Sequence, residues 1–247
     1  MAMKYVSFVR ALALGASLSF LLSCGSAPIK PNLSDESVPR DMVSTLEFIP
    51  VVQLDKEGVQ LPYVPDPNPY MQIRGKIKKE SALKFIEAKR ALSSNNNAKA
   101  NSLLDDLIAS DDSLSGPWVI KGDLAKKSND LDLAVKHYLK AIETNSRNIN
   151  AYTRLALAQR QQGKFLLAQN AYAEALKLWK DYPEAHLNIA ILYDLYLNHP
   201  IRAQKHMEAF QFLTNNESSE VEQWLEEIRN RTGIVTTLKA LVASDNP

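Results

Sequence analysis

The chain has 247 residues, of which 45% are hydrophobic, 8% aromatic and 23% charged, enough for one or two domains and incompatible with disorder from end to end. Its 29 Lys and Arg stand against 28 Asp and Glu, a formal charge of +1, so the basic excess that drives binding to a nucleic-acid backbone is missing and no nucleic-acid partner is expected. A single cysteine, Cys24, excludes a disulfide framework and any cysteine-based zinc or iron–sulfur cluster.

Residues 1–10 carry Lys4 and Arg10 and no acid, residues 11–22 are uncharged, and Ser23, Cys24 and Gly25 follow. This is the layout of a secretory signal, and the apolar run is shorter than the roughly 20 residues that a membrane span needs. Leu21-Leu22-Ser23-Cys24 resembles a bacterial lipobox, although Leu22 is bulkier than the residue usual at its place. The resemblance implies cleavage after residue 23, acylation of Cys24 by chains such as palmitate, and anchoring by more than one chain, which a single chain cannot provide. Gly25, where an aspartate would signal inner-membrane retention, implies an outer-membrane lipoprotein facing the periplasm. Removing residues 1–23 leaves 27 basic against 28 acidic residues, so steering by net charge is not expected.

Eight of the twelve prolines fall between Pro28 and Pro69, and residues 24–78 read as a Pro-rich tether. In polyproline II, residues 25–45 would span on the order of 60 Å. Residues 47–54 and 59–64 are rich in Val, Ile, Phe and Tyr around an Asp55-Lys56-Glu57-Gly58 turn, which allows a small hairpin, with Pro50 and Pro62 limiting both strands to edge quality.

From residue 79 the pattern turns helical and becomes periodic, with a repeat of about 34 residues. Ala88, Gly122, Ala156 and Ala190 recur at that period, and so do Ala100, Ala134 and Ala168. Leu104, Tyr138 and Tyr172 stand one helical turn beyond that second set, and Leu107, Ala141 and Ala175 one turn further on. The expectation is four pairs of antiparallel helices over about 81–114, 115–148, 149–182 and 183–215. Small residues would let paired backbones approach, and each pair would bury the apolar face of its neighbour. In the fourth unit the second small residue, Ala203, is one position late, which places a one-residue insertion at Asn198-His199-Pro200 before Met207 and Phe210 restore the register.

Trp118 with Gly122, Ala134, Tyr138 and Ala141, then Leu155-Ala156 with Gly163, Ala168, Tyr172 and Ala175, then Ile189-Ala190 with Tyr193 resemble the tetratricopeptide repeat family. Lys121 and Ala125 depart from its pattern, the first unit carries Lys84 at the Trp position, and the proline usual near the end of each repeat is absent. The resemblance covers residues 81–215 and implies an all-α superhelical solenoid of about four helix pairs. Residues 216–247 add a capping helix, with Ser219 and Glu222 as its capping box, Val221, Trp224, Leu225 and Ile228 as its apolar face and Gly233 as its stop, followed by a short amphipathic or frayed tail.

No phosphate loop, HExxH or GxSxG is present, and no catalytic residue, cofactor or metal is expected. His137, His186, His199 and His206 are scattered, with His199 and His206 the pair that could share a side. Some relatives hold a partner's terminal carboxylate with Lys and Asn on the inner helices. The matching positions here are Phe85, Lys89, Val119, Asp123, Thr153, Leu157, Leu187 and Ile191, which include one lysine and no asparagine. They read instead as an apolar groove for a peptide segment, rimmed by Lys89, Asp123, Arg160 and Asp194. The alternative is that residues 47–64 of the chain itself cover it.

The expected function is a membrane-anchored protein–protein interaction module, an adaptor or assembly factor for a pilus or secretin, outer-membrane protein, peptidoglycan or TonB-type machinery. Its partners would be protein segments of that envelope machinery. An accessory domain of an envelope enzyme and a passive self-associating structural protein are the alternatives.

Overall fold

The computed structural model describes residues 41–72, 77–215 and 218–242. The signal, Cys24 and the first part of the tether lie outside these residues. Among the described residues nine helices follow one another: α1 (Lys79–Ser93), α2 (Asn97–Ser110), α3 (Ser115–Lys127), α4 (Leu131–Thr144), α5 (Ile149–Gln161), α6 (Phe165–Leu178), α7 (Pro183–Leu195), α8 (Pro200–Leu213) and α9 (Ser219–Thr232). The first eight form four antiparallel pairs, and α9 closes the stack. None of the described helices is long and apolar enough to cross a membrane.

The pairing depends on the small residues. Ala88, Ala156 and Ala190 on the first helices and Ala100, Ala134, Ala168 and Ala203 on the second are fully buried, as are Leu104, Tyr138, Tyr172 and Met207 one turn on. At Gly122 there is no room for a methyl group, because a Cβ there would lie inside the van der Waals envelope of the Tyr138 ring. The aromatic side chain fills the space that the missing side chain leaves, and its hydroxyl donates to Asp123 Oδ1 at 2.8 Å.

The turns inside the pairs repeat as well. Asn95, Asn129 and Gly163 have positive φ at 57°, 62° and 75°, each one full repeat after the last, and Asn198, at 54°, comes one position late. Asn tolerates this left-handed conformation and Gly has no Cβ to oppose it. The turn before α8 runs over 196–199, one position longer than 94–96, 128–130 and 162–164 in the other pairs, so the insertion falls where the register requires. Asn96 and Asp130 then cap α2 and α4, accepting from Lys99 and Leu133 N–H at 3.0 Å. Pro183 and Pro200 occupy the first turns of α7 and α8, where a missing N–H costs nothing.

The core divides in two. A large cluster runs from Val119 to Ile228 through three repeats and the cap, and a separate small one holds Ala88, Leu104 and Leu107 of the first repeat. The repeat that departs furthest from the sequence pattern is thus also the one outside the main core.

Residues 41–72 are not a free tether, because they pack across the C-terminal half of the stack. After a 3-10 turn at Leu46–Phe48, strand β1 (Val52–Leu54) pairs in parallel with β2 (Ala240–Val242), Val52 opposite Ala240. The expected hairpin forms only at its turn, where Asp55 Oδ1 accepts from Glu57 and Val59 N–H and Gly58 has φ 80°. Its second arm makes a single bridge, Leu54 to Gln60, since the better partner for β1 comes from the far end of the chain. The described part of the tail, residues 234–242, forms no helix: it is held along α8 by Gln204 Nε2 to Ile234 O at 2.8 Å and by Thr237 N–H to Glu208 Oε2 at 2.7 Å. The cap of α9 is Ser218 and not Ser219, with Ser218 Oγ accepting from Val221 N–H, while Glu222 bonds Gln211 and Arg229. Gly233, at φ 69°, ends the helix as expected.

Gly122→Ala is expected to cost on the order of 1–3 kcal/mol by overpacking against Tyr138. The lowered midpoint should be read in thermal unfolding followed by circular dichroism, and an unchanged midpoint would contradict the pairing.

Candidate functional site

Two surfaces could receive a partner: the inner face, formed by the first helices α1, α3, α5 and α7, and the outer grooves between the second helices α2, α4, α6 and α8. The eight residues expected to line the inner groove do not form a continuous exposed strip. Val119 and Thr153 are 7% exposed, Leu187 is 3% and Ile191 is 1%. These four belong to the packing of the stack: all but Thr153 are members of the main core cluster, α3 lies against α5, and α9 packs on α8 and reaches α7 through Asp194. Phe85 is half-buried against the first-repeat core, Lys89 is exposed, and Leu157 remains half-buried on the face.

The charged rim divides in the same way. Asp123 ties three helices together, accepting from Tyr138 and pairing with Arg154 at 3.3 Å. Asp194 holds the cap, accepting from Trp224 Nε1 at 2.8 Å and pairing with Arg231. Arg160, one turn beyond Leu157 on α5, is different. It is 8% exposed, its guanidinium lies 5.8 Å from the centre of the Tyr196 ring, and Nη1 has no hydrogen-bond partner among the described residues. Tyr196 in turn packs on Phe165 at 4.8 Å. Thr153, Leu157 and Arg160, spaced i, i+4 and i+7, share one side of α5.

The outer groove between α6 and α8 is occupied by the chain's own residues 42–48, and not the inner groove as the sequence allowed. Val43 donates from its N–H to Gln169 Oε1 at 3.1 Å and accepts at its carbonyl from Gln169 Nε2 at 2.8 Å. Thr45, fully buried, meets Tyr193 Oη at 3.2 Å and His206 Nε2 at 2.8 Å. Further along, Asp181 accepts from the Tyr63 hydroxyl and the Asp66 N–H, both at 2.7 Å, and Trp179 Nε1 donates to Asp66 O at 2.6 Å. Burial and the Asp181 carboxylate push the Tyr63 phenol well up, so it stays a donor.

Beneath this segment His186 and His206 face each other, Nδ1 to Nδ1 at 2.9 Å, both fully buried. The sequence pointed to His199 and His206 instead. The periodicity held the signal: His186 stands two full repeats after Trp118, which packs against His137 with ring centres 5.6 Å apart, so both ring pairs occupy equivalent places in the stack. Among the described residues no group of three or more His, Cys, Asp or Glu could hold a metal ion.

Helix pairs of this length, stacked in this order, define a class of repeat scaffold that works by surface contact. Residues 122–163 match the family model described as TPR repeat, and residues 149–181 match the one described as Tetratricopeptide repeat. Comparison with curated proteins finds no match. Among solved structures the chain is similar to residues 41 to the end of MamA from Desulfovibrio magneticus RS-1, at 15% identity over 63% of this chain and 87% of that one with a TM-score of 0.54. It is also similar to a tetratricopeptide repeat protein from Parabacteroides merdae, at 16% identity over 63% and 62% of the two chains, TM-score 0.54. A third is a chain of the Cut9–Hcn1 assembly of APC/C, at 18% identity over 59% and 29%, TM-score 0.51. The fold is an all-α tetratricopeptide-repeat solenoid, and such repeats are protein–protein interaction modules.

The two kinds of inner position should separate by mutation. Ile191→Glu buries an unpaired carboxylate and is expected to unfold the C-terminal half, whereas Leu157→Glu, at a half-buried position on the edge of the core, should keep helical content and lower the midpoint far less. Circular dichroism melts of the two variants check this, and equal behaviour would contradict the placement.

Proposed function

We propose that this chain is an anchored interaction module of a bacterial envelope, fixed to the outer membrane through acylated Cys24 and presenting the inner face of α5 to a segment of another envelope protein. The anchor rests on sequence: the sole cysteine stands at the end of a short apolar run, after Leu21-Leu22-Ser23. The surface rests on Arg160. Among the described residues no carboxylate pairs with this buried guanidinium, which is costly, and an acidic side chain from a partner would offset that cost while apolar residues beside it meet Leu157. The outer groove at α6 and α8 is already filled, whereas on the inner face of α5 half-buried Leu157 lies one turn from a guanidinium whose Nη1 has no partner among the described residues.

Two experiments test the two halves separately. Cys24→Ser should move the protein from the membrane to the soluble fraction, or leave an uncleaved precursor, and should abolish labelling by radioactive fatty acid; labelling that persists would contradict the anchor. Leu157→Glu combined with Arg160→Met, which removes the guanidinium and keeps the apolar stem, should remove partners captured by crosslinking in intact envelopes while helical content by circular dichroism is kept. Equal recovery of the same partners with the folded double variant would contradict the surface.

A further inference from the structure

The hydrogen bonds that hold residues 42–48 form one chain in which every proton can be assigned. His186 Nε2 lies 2.7 Å from the Lys180 carbonyl, which can only accept, so Nε2 carries the proton and Nδ1 of the neutral ring is an acceptor. His206 Nδ1 must then donate to His186 Nδ1, which leaves His206 Nε2 as an acceptor for the Thr45 hydroxyl. Thr45, having given its proton to His206, accepts from the Tyr193 hydroxyl, and Tyr193 accepts from Gln169 Nε2 at 2.9 Å. Gln169 ends the chain by reading the backbone of Val43 in both directions. No acceptor in this chain has room for a further proton. One added at His186 Nδ1 sets two N–H groups against each other across 2.9 Å, and one added at His206 Nε2 turns the bond to Thr45 around, so that three hydroxyl and ring protons share two hydroxyl oxygens and one hydroxyl proton, of Thr45 or Tyr193, loses its acceptor.

We propose that residues 42–48 form a proton-sensitive strap, latched into the outer groove between α6 and α8 by the neutral His186–His206 pair and released when that pair takes up a proton. The groups facing the pair set its response. Around His206 stand Arg202 and Lys205 of α8 together with His186, all opposing a positive charge, and Arg202 also lies 5.7 Å from the Tyr193 ring centre. His186 faces the Asp181 carboxylate, which favours protonation but is already engaged by Tyr63 and Asp66. The strap contributes Thr45, α7 Tyr193 and α6 Gln169, none of them charged. Burial pushes His186 down to about 4 and His206 well below the ordinary imidazole range. Groups whose folded values are depressed stabilise the latched form fully above the unfolded value of about 6.5, and that stabilisation is lost as pH falls through the folded values. The latch therefore holds at neutral pH and opens toward pH 4. The helices stay paired, because their contacts at Gly122, Ala134 and Ala168 are apolar or aromatic and bury no imidazole.

The test is amide hydrogen exchange on the full-length chain at pH 7, 6, 5 and 4, corrected for the intrinsic pH dependence and read by mass spectrometry. Peptides covering residues 42–48 should lose protection at least tenfold between pH 6 and 4 while peptides from α3 to α6 keep theirs. His186→Gln combined with His206→Gln removes both titrating rings and can carry the same bonds, the carboxamide at 186 donating to Lys180 O and accepting from that at 206, which accepts from Thr45, so the strap should stay protected throughout. A strap protected down to pH 3.5 in the wild type, the same loss in this double variant, or loss in step with α3 to α6 would each overturn the proposal. If the double variant does not fold, Thr45→Val decides: it should expose residues 42–48 at pH 7 with the helices intact, and unchanged protection would overturn the latch.

Discussion

Everything in this molecule depends on how closely two helices can approach. Where Gly122 meets Tyr138, and where Ala88, Ala156 and Ala190 face their partner helices, a missing or minimal side chain brings backbones together and an aromatic, Leu or Met one turn away fills the remaining space. Because this contact recurs once in every repeat, the pairs leave the same apolar face uncovered each time, and stacking follows as the way to bury it. The Asn and Gly residues of the turns belong to the same constraint, since so short a connection between antiparallel helices needs one residue in the left-handed region. The extra residue before α8 shifts the register by one position and still ends in the same contact.

A stack of helices has little to offer an extended segment. Its backbone groups are used within the helices, so any chain laid across it must find side-chain partners for its own N–H and C=O groups. This explains the buried polar residues of the C-terminal half. Gln169 serves Val43, Asp181 serves Tyr63 and Asp66, and Gln204 with Glu208 serves the tail from Ile234 to Thr237. Each is a side chain on α6, on α8 or between α6 and α7. The N-terminal segment and the C-terminal tail are therefore part of the folded unit, joined to each other by β1 and β2 and to the helices by carboxamides and carboxylates.

This division also shows what could be read from the sequence. The helix pairs, their spacing, the insertion before Pro200 and the stop at Gly233 follow from short-range rules, and each was legible residue by residue. The outer groove was not, because Gln169, Asp181 and Glu208 look like solvated surface residues until the segment that buries them is placed, and strands as short as β1 and β2 leave no periodicity. The inner face was misread for a different reason. Val119, Leu187 and Ile191 occupy positions that face inward in a single repeat, but they join a core cluster that spans neighbouring repeats and the cap, which no pattern within one repeat reveals. Arg160, read only as part of a charged rim, stands out once Asp123 and Asp194 are seen to be committed elsewhere.

The central claim is that the chain fills its own outer groove and leaves the inner face of α5 for a partner. It is tested most directly by oxidative crosslinking of introduced cysteines in a Cys24→Ser background. Val43 N–H lies 3.2 Å from Asn170 Oδ1, so Val43→Cys with Asn170→Cys should form an intramolecular disulfide readily. Val43→Cys with Lys136→Cys, the equivalent position one repeat earlier, should not. Equal crosslinking of both pairs, or none in the first, would contradict the account.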